Sequence, residues 1–189
     1  MDCVFYDFET TGIFSGEEST AEICRIEAIQ CRDNAIIDRF STFVNVKNRV
    51  RESVAEYIGI SEESLENAPN LLSAIKSVEY FCKNSMILGY RTDLDDGLFE
   101  YHLGERARFL KDKAVDIYPS VKDQYGELIE NYDFDEKKNS VFEKFDIRRK
   151  TKKNSLTVEN VCRYFGIDKN LSYPEKLFEI SVKLNNMPL

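Results

Sequence analysis

The first twelve residues, MDCVFYDFETTG, constrain this chain's fold more than any other stretch. Cys3-Val4-Phe5-Tyr6 is an apolar, aromatic-rich run and Gly12 bounds the segment, which is a strand signal. Residues two apart on a strand share a face, so Asp7 and Glu9 project together while Phe8 points into the opposite core. Two neighbouring carboxylates repel each other and are costly unless positive charge sits between them. A divalent cation with hard oxygen ligands meets that need, and Mg²⁺ or Mn²⁺ suits carboxylates best. The other reading of a lone D-x-E is an edge strand with solvated acids. Thr10-Thr11-Gly12 adds small hydroxyl residues and a glycine, which let the backbone approach a ligand closely.

With 189 residues, 42% of them hydrophobic and 12% aromatic, the chain can bury a sizeable core. The expectation is a single domain over residues 1–189. No run approaches the ~18 consecutive apolar residues of a membrane span. The N-terminus lacks a basic region before an apolar stretch, so a soluble, cytoplasmic protein without membrane contact is expected. Five scattered cysteines form no C-x-x-C pair and are expected as buried free thiols, not a zinc site. A net charge of −8 argues against coating nucleic acid by bulk electrostatics. It leaves room for an enzyme that grips a few nucleotides. Arg148, Arg149, Lys150, Lys152 and Lys153, preceded by Lys137, Lys138 and Lys144, form either a solvated loop or a phosphate contact.

Along the chain, Ile13 to Ala21 reads as a loop, Glu22 to Cys31 as a second strand, and Ala35 to Val46 as a third. Asp33-Asn34 makes the turn between the last two, and the three strands suggest an antiparallel meander. Arg51 to Ile58 reads as a short helix, and Ser61 caps a second short segment ended by Pro69. Asn70 to Lys83 has a helical period, and Met86 to Gly89 is a short buried-type strand. Three aspartates within four residues, Asp93, Asp95 and Asp96, then lie between a strand and a helical stretch. Lys113 to Val121 reads as a final strand stopped by Pro119. Lys122 to Asn154 reads as helical fragments with a basic loop. Ser155 to Phe165 is expected to be a helix ended by Gly166, and another helix is expected from Pro174.

The string Val4 to Gly12 resembles the first motif of the DEDD superfamily of 3′–5′ exonucleases. Gly89-Tyr90-Arg91-Thr92-Asp93-Leu94-Asp95 is similar to the second motif, with Tyr90-Arg91 standing where His-Asn is usual. That register makes Asp95 a metal ligand, Asp93 an N-cap and Asp96 the alternate ligand. The third motif usually has a His followed five residues later by a carboxylate on the last helix. The only histidine here, His102, is far from that helix. Asn170 with Glu175 and Pro174 with Glu179 both keep the spacing. The second register gives a coherent apolar stripe of Leu177, Ile180, Leu184 and Met187, so Glu179 is the expected fourth ligand.

The resemblance implies an α/β, RNase H-like fold: a central five-stranded mixed sheet flanked by helices. It implies two divalent ions, Mg²⁺ or Mn²⁺, about 3.5–4 Å apart. Asp7, Glu9, Asp95 and Glu179 would be the metal-binding and catalytic carboxylates, and Thr10, Thr11 and Gly12 the substrate contacts. The implied partners are single-stranded 3′ ends of DNA or RNA, together with a polymerase or repair protein. The general base of the related enzymes is the missing His, and a positioned base is worth typically 10²–10⁴-fold. Two readings follow: an exonuclease of reduced rate, or an impaired relative that binds nucleic-acid ends or a replication partner. His102 is not expected to serve as the base.

Overall fold

A computed structural model describes residues 2–12, 21–48, 50, 52, 55–56, 59–92, 102, 113–132 and 155–184. Its centre is β1 (Cys3–Thr10), which pairs on both sides. On one side β1 meets β2 (Ile23–Arg32), and β2 meets β3 (Ala35–Phe43), both antiparallel. On the other side β4 (Met86–Gly89) runs parallel to β1, and β5 (Ala114–Asp116) runs parallel to β4. The order β3-β2-β1-β4-β5 is therefore the expected five-stranded mixed sheet. Asp33 and Asn34 close the β2–β3 hairpin at φ 50° and 59°, the left-handed pair a two-residue turn needs and that Asp and Asn tolerate.

Strand alternation sorts β1 between two cores. Val4 and Tyr6 face a layer containing Ala74, Ile75 and Val78 of α2 (Leu71–Phe81). Asn70 caps that helix by accepting the Ser73 N–H at 3.0 Å. A shorter helix, α1 (Glu62–Glu66), precedes it and is capped by Ser61, as the sequence suggests. Cys3 and Phe5 face the opposite layer, which holds Val121, Val161, Leu177 and Ile180. These come from α3 (Tyr118–Glu130), α4 (Val158–Phe165) and α5 (Tyr173–Lys183). The Phe5 and Phe178 rings meet edge-on at 5.9 Å, which seats α5 on β1. All five cysteines are buried free thiols.

One expectation is corrected here. Pro119 does not stop a strand; β5 ends at Asp116, and Pro119 lies in the first turn of α3. Proline has no N–H to lose there and its fixed φ suits a helix start. Tyr118, Val121, Tyr125 and Ile129 then recur at helical spacing and all pack on the core. The expected short helix at 51–58 is helical at the described residues Glu52, Ala55 and Glu56. The basic run at 137–153 lies outside the described residues. Thr157 caps α4 and Gly166 ends it at φ 69°.

Candidate active site

β1 carries Asp7 and Glu9 on the face of Phe5, towards α5, while Phe8 packs with the α2 layer. A register irregularity between Glu9 and Thr10 ends the regular pairing. Beyond it, Thr11 is buried: its N–H donates to the Glu22 carbonyl, and its hydroxyl accepts the Glu22 N–H at 3.0 Å. The Thr10 hydroxyl donates to the Gly12 carbonyl at 2.5 Å. The Thr-Thr-Gly segment is thus a braced turn, clamped to the start of β2. His102 lies close to it, with Nε2 2.7 Å from the Ala21 carbonyl.

The strand opposite supplies charges that belong to none of the three motifs. Glu27 pairs with Asp7, and Arg25 with Glu9, across the β1–β2 ladder. Cross-strand partners share a face, so the four charged side chains form one patch. Arg25 donates a short hydrogen bond to Glu27 and lies 3.8 Å from Glu9 Oε2. Glu9 Oε2 itself is buried and has no hydrogen-bond partner among the described residues. Burial, reinforced by the charge of Glu27 and opposed by Arg25, holds the Glu9 carboxyl above its ordinary pKa. Arg25 and Glu27 were legible only as polar members of a strand with apolar residues at 23, 26, 28 and 29. The signal that could have found them is the charged i, i+2 pair in the strand that turns back on the D-x-E.

The two registers of the last helix separate clearly. Glu175 is consumed by its own helix start: the Ser172 N–H and hydroxyl each donate to Oε2 at 2.8 Å. Arg39 of β3 reaches Oε1 at 2.7 Å. Burial raises the Glu175 pKa, but the Ser172 hydrogen bonds and Arg39 outweigh it and leave the carboxyl below the ordinary range. Glu179 lies half-buried one turn on, between the buried Phe178 and Ile180. Met187 of the expected stripe lies outside the described residues, whereas Leu177, Ile180 and Leu184 are buried.

Asp93, Asp95 and Asp96 lie outside the described residues, but the start of that segment is defined. Gly89 admits no side chain, since a Cβ there meets Thr92 Cγ2 at 2.6 Å. Tyr90, in place of the usual His, is a core residue whose buried hydroxyl donates to the Leu156 carbonyl at 2.8 Å. Arg91 takes φ 55°, and its N–H donates to Asp116 Oδ1 at 2.9 Å. Asp116 also accepts the Tyr118 N–H, so it is a structural clamp.

Among the described residues, no three Asp, Glu, His or Cys side chains gather closely enough to hold a metal ion. Asp7 and Glu9 are thus brought to one face, and Glu179 does not close a three-ligand set with them. The donor chemistry nonetheless fits a hard divalent ion, because Glu9 presents a buried carboxylate oxygen lacking a hydrogen-bond donor. Asp7 adds a second carboxylate on the same face.

An RNase H-like α/β sheet with a D-x-E at the end of its central strand defines a class of nuclease. The family model described as Exonuclease, the RNase T type, matches residues 4–171, and the chain belongs to this family within the DEDD superfamily of 3′–5′ exonucleases. Its members are hydrolases of phosphodiester bonds and generally use divalent metal ions. A DNA polymerase III of the PolC type from Clostridium perfringens is 27% identical over 125 residues, 66% of this chain and 8% of the polymerase. The PolC-type polymerase of Thermotoga petrophila is 29% identical over 92 residues, 49% of this chain and 6% of that protein. The chain thus matches only a small part of these polymerases. The nuclease domain of 3′hExo, a DEDDh family member bound to rAMP, superposes with a TM-score of 0.69 at 14% identity, covering 97% of this chain and 91% of that one. Product-bound exonuclease I gives 0.68 at 14% identity, covering 97% and 42%. Among the described residues, no helix is long and apolar enough to cross a membrane.

Proposed function

We propose that residues 1–189 form a single domain that shortens single-stranded nucleic acid from its 3′ end, with Asp7, Glu9, Asp95 and Glu179 as its metal-binding carboxylates. The observation that carries this reading is the buried, donor-free Oε2 of Glu9 beside Asp7 on one face of β1. When held by these carboxylates, two divalent ions, Mg²⁺ or Mn²⁺, would supply the charge that stabilises the attacking and leaving oxygens of an in-line displacement. The chain's own share is placement. Asp7 and Glu9 are fixed by the central strand, whose Phe5 is locked against Phe178 of α5. Glu179 rides on that same helix, one residue beyond Phe178. The turn of Thr10, Thr11 and Gly12 would meet the terminal nucleotide through its remaining groups, since Glu22 engages the Thr11 hydroxyl and N–H and the Thr10 hydroxyl engages the Gly12 carbonyl.

A slow enzyme is the form favoured by one further feature. The only imidazole of the chain is engaged with the Ala21 carbonyl, so proton removal from the attacking water falls to solvent. The similarity to PolC-type polymerases supports a replication partner for this domain, and the same similarity is what an impaired, end-binding relative would show. A 5′-labelled and a 3′-labelled oligonucleotide, each as DNA and RNA, distinguish these readings. With Mn²⁺, a ladder of shrinking 5′-labelled products and immediate release of the 3′ label is expected. Tight binding without any shortening supports the impaired relative instead.

A further inference from the structure

Arg25 and Glu27 belong to none of the exonuclease motifs, yet they face Glu9 and Asp7 directly across the sheet. We infer that Arg25 is a resident counter-cation of Glu9, a positioning residue with which a divalent ion must compete for that carboxylate. The inference rests on the reading of Asp7 and Glu9 as a metal site and adds a control element to it.

Contacts with Glu27, Phe43 and Glu9 hold the guanidinium in place. Glu27 accepts its short hydrogen bond, the Phe43 ring lies 5.7 Å from its central carbon, and Glu9 Oε2 stands 3.8 Å from its other terminal nitrogen. All three charged side chains are mostly covered, at 24% exposure for Arg25, 22% for Glu9 and 17% for Glu27. Solvent therefore screens their charges only in part. A guanidinium cannot shed its proton near neutral pH, so this positive charge is permanent. Its grip is also asymmetric. Glu27 is hydrogen-bonded, whereas Glu9 is attracted at a distance too long for a hydrogen bond, which leaves its oxygen open to a ligand.

The consequence for the site has two sides. Before an ion arrives, Arg25 offsets the repulsion among Asp7, Glu9 and Glu27. When an ion arrives, its charge meets a cation that Glu27 and Phe43 prevent from swinging away. The affinity for the ion is therefore lower than the carboxylates alone would give, and Arg25 sets the ion concentration at which the site fills.

The test is a calorimetric Mn²⁺ titration of the full chain, with far-ultraviolet circular dichroism confirming the fold of each variant. Arg25→Met is expected to bind Mn²⁺ about tenfold more tightly than the unmodified chain, the scale of one partly screened charge. Arg25→Lys, which keeps the charge, is expected to stay near the unmodified value. The gain in Arg25→Met should vanish when Glu9→Gln is added. Arg25→Gln serves as a second neutral variant should the methionine not fold. Equal or weaker Mn²⁺ binding in a folded neutral variant overturns the inference, as does equal tightening by lysine; if Asp7→Asn still weakens binding, the metal site stands without it. Absence of Mn²⁺ binding in every form, the unmodified chain included, overturns the metal-site reading and the inference together.

Discussion

At the scale of residues, the D-x-E end of β1 is a place where charge is held against its own preference. Among the described residues Glu9 Oε2 is buried without a hydrogen bond, and the Arg25 guanidinium stands 3.8 Å away. Such an arrangement costs stability that an enzyme recovers only when a ligand binds. Glu9→Gln removes the charge, so without divalent ions its melting temperature should rise by about 1–2 °C, a modest amount because partial solvent screening remains. Adding Mn²⁺ should then stabilise the unmodified chain more than the variant. A scanning calorimetry series with and without Mn²⁺ checks both, and a variant that melts lower in the absence of ions contradicts the account. His102 gives a prediction of the opposite kind. Its contact with the Ala21 carbonyl is structural, so His102→Ala should cost about 1 kcal/mol of stability and leave the pH profile of nucleotide release unchanged. An altered profile in a folded variant would make His102 a participant in the chemistry.

At the scale of elements, α5 shows why one glutamate belongs to the helix and the next is free for other work. Glu175 closes the first turn by accepting from Ser172 and also holds Arg39 of β3. Its folded pKa lies below the model-peptide value of 4.5. A depressed carboxylate pKa contributes stability above the unfolded value and loses it as pH falls through the folded one. Glu175→Gln should therefore cost about 0.5–2 kcal/mol near pH 7, with the difference from the unmodified chain shrinking once pH drops below 4.5. Urea denaturation across that range measures it, and a pH-independent difference contradicts the ion pair. The same helix was readable from the sequence because Leu177, Ile180 and Leu184 repeat at helical spacing and Pro174 marks its start. Ala114-Val115-Asp116 is strand-like and Pro119 can either end a strand or open a helix, so local sequence alone leaves the start of α3 open. Only the tertiary setting decides, and here Val121 and Ile129 find the α4–α5 layer.

At the scale of the whole molecule, the sequence carried the central strand, the antiparallel meander and the membership in an exonuclease superfamily. It did so because strand periodicity and the D-x-E-T-T-G string are local features. What it could not carry was the pairing of Arg25 and Glu27 with the D-x-E, since the register of β2 on β1 is set by tertiary packing of two strands joined through residues 11–22 and not by any motif. Nor could it show that Tyr90 replaces a polar residue by joining the core and bonding the Leu156 carbonyl, 66 residues away. The family accounts for the sheet. The measurement closest to the central claim is the rate of 3′-nucleotide release from a 5′-labelled single strand at saturating Mn²⁺, for the unmodified chain and Asp7→Asn. Stepwise shortening is expected that falls by at least ~10²-fold in Asp7→Asn, because a ligand on the central strand is lost. Shortening by Asp7→Asn at a rate within a few-fold of the unmodified chain would contradict that claim.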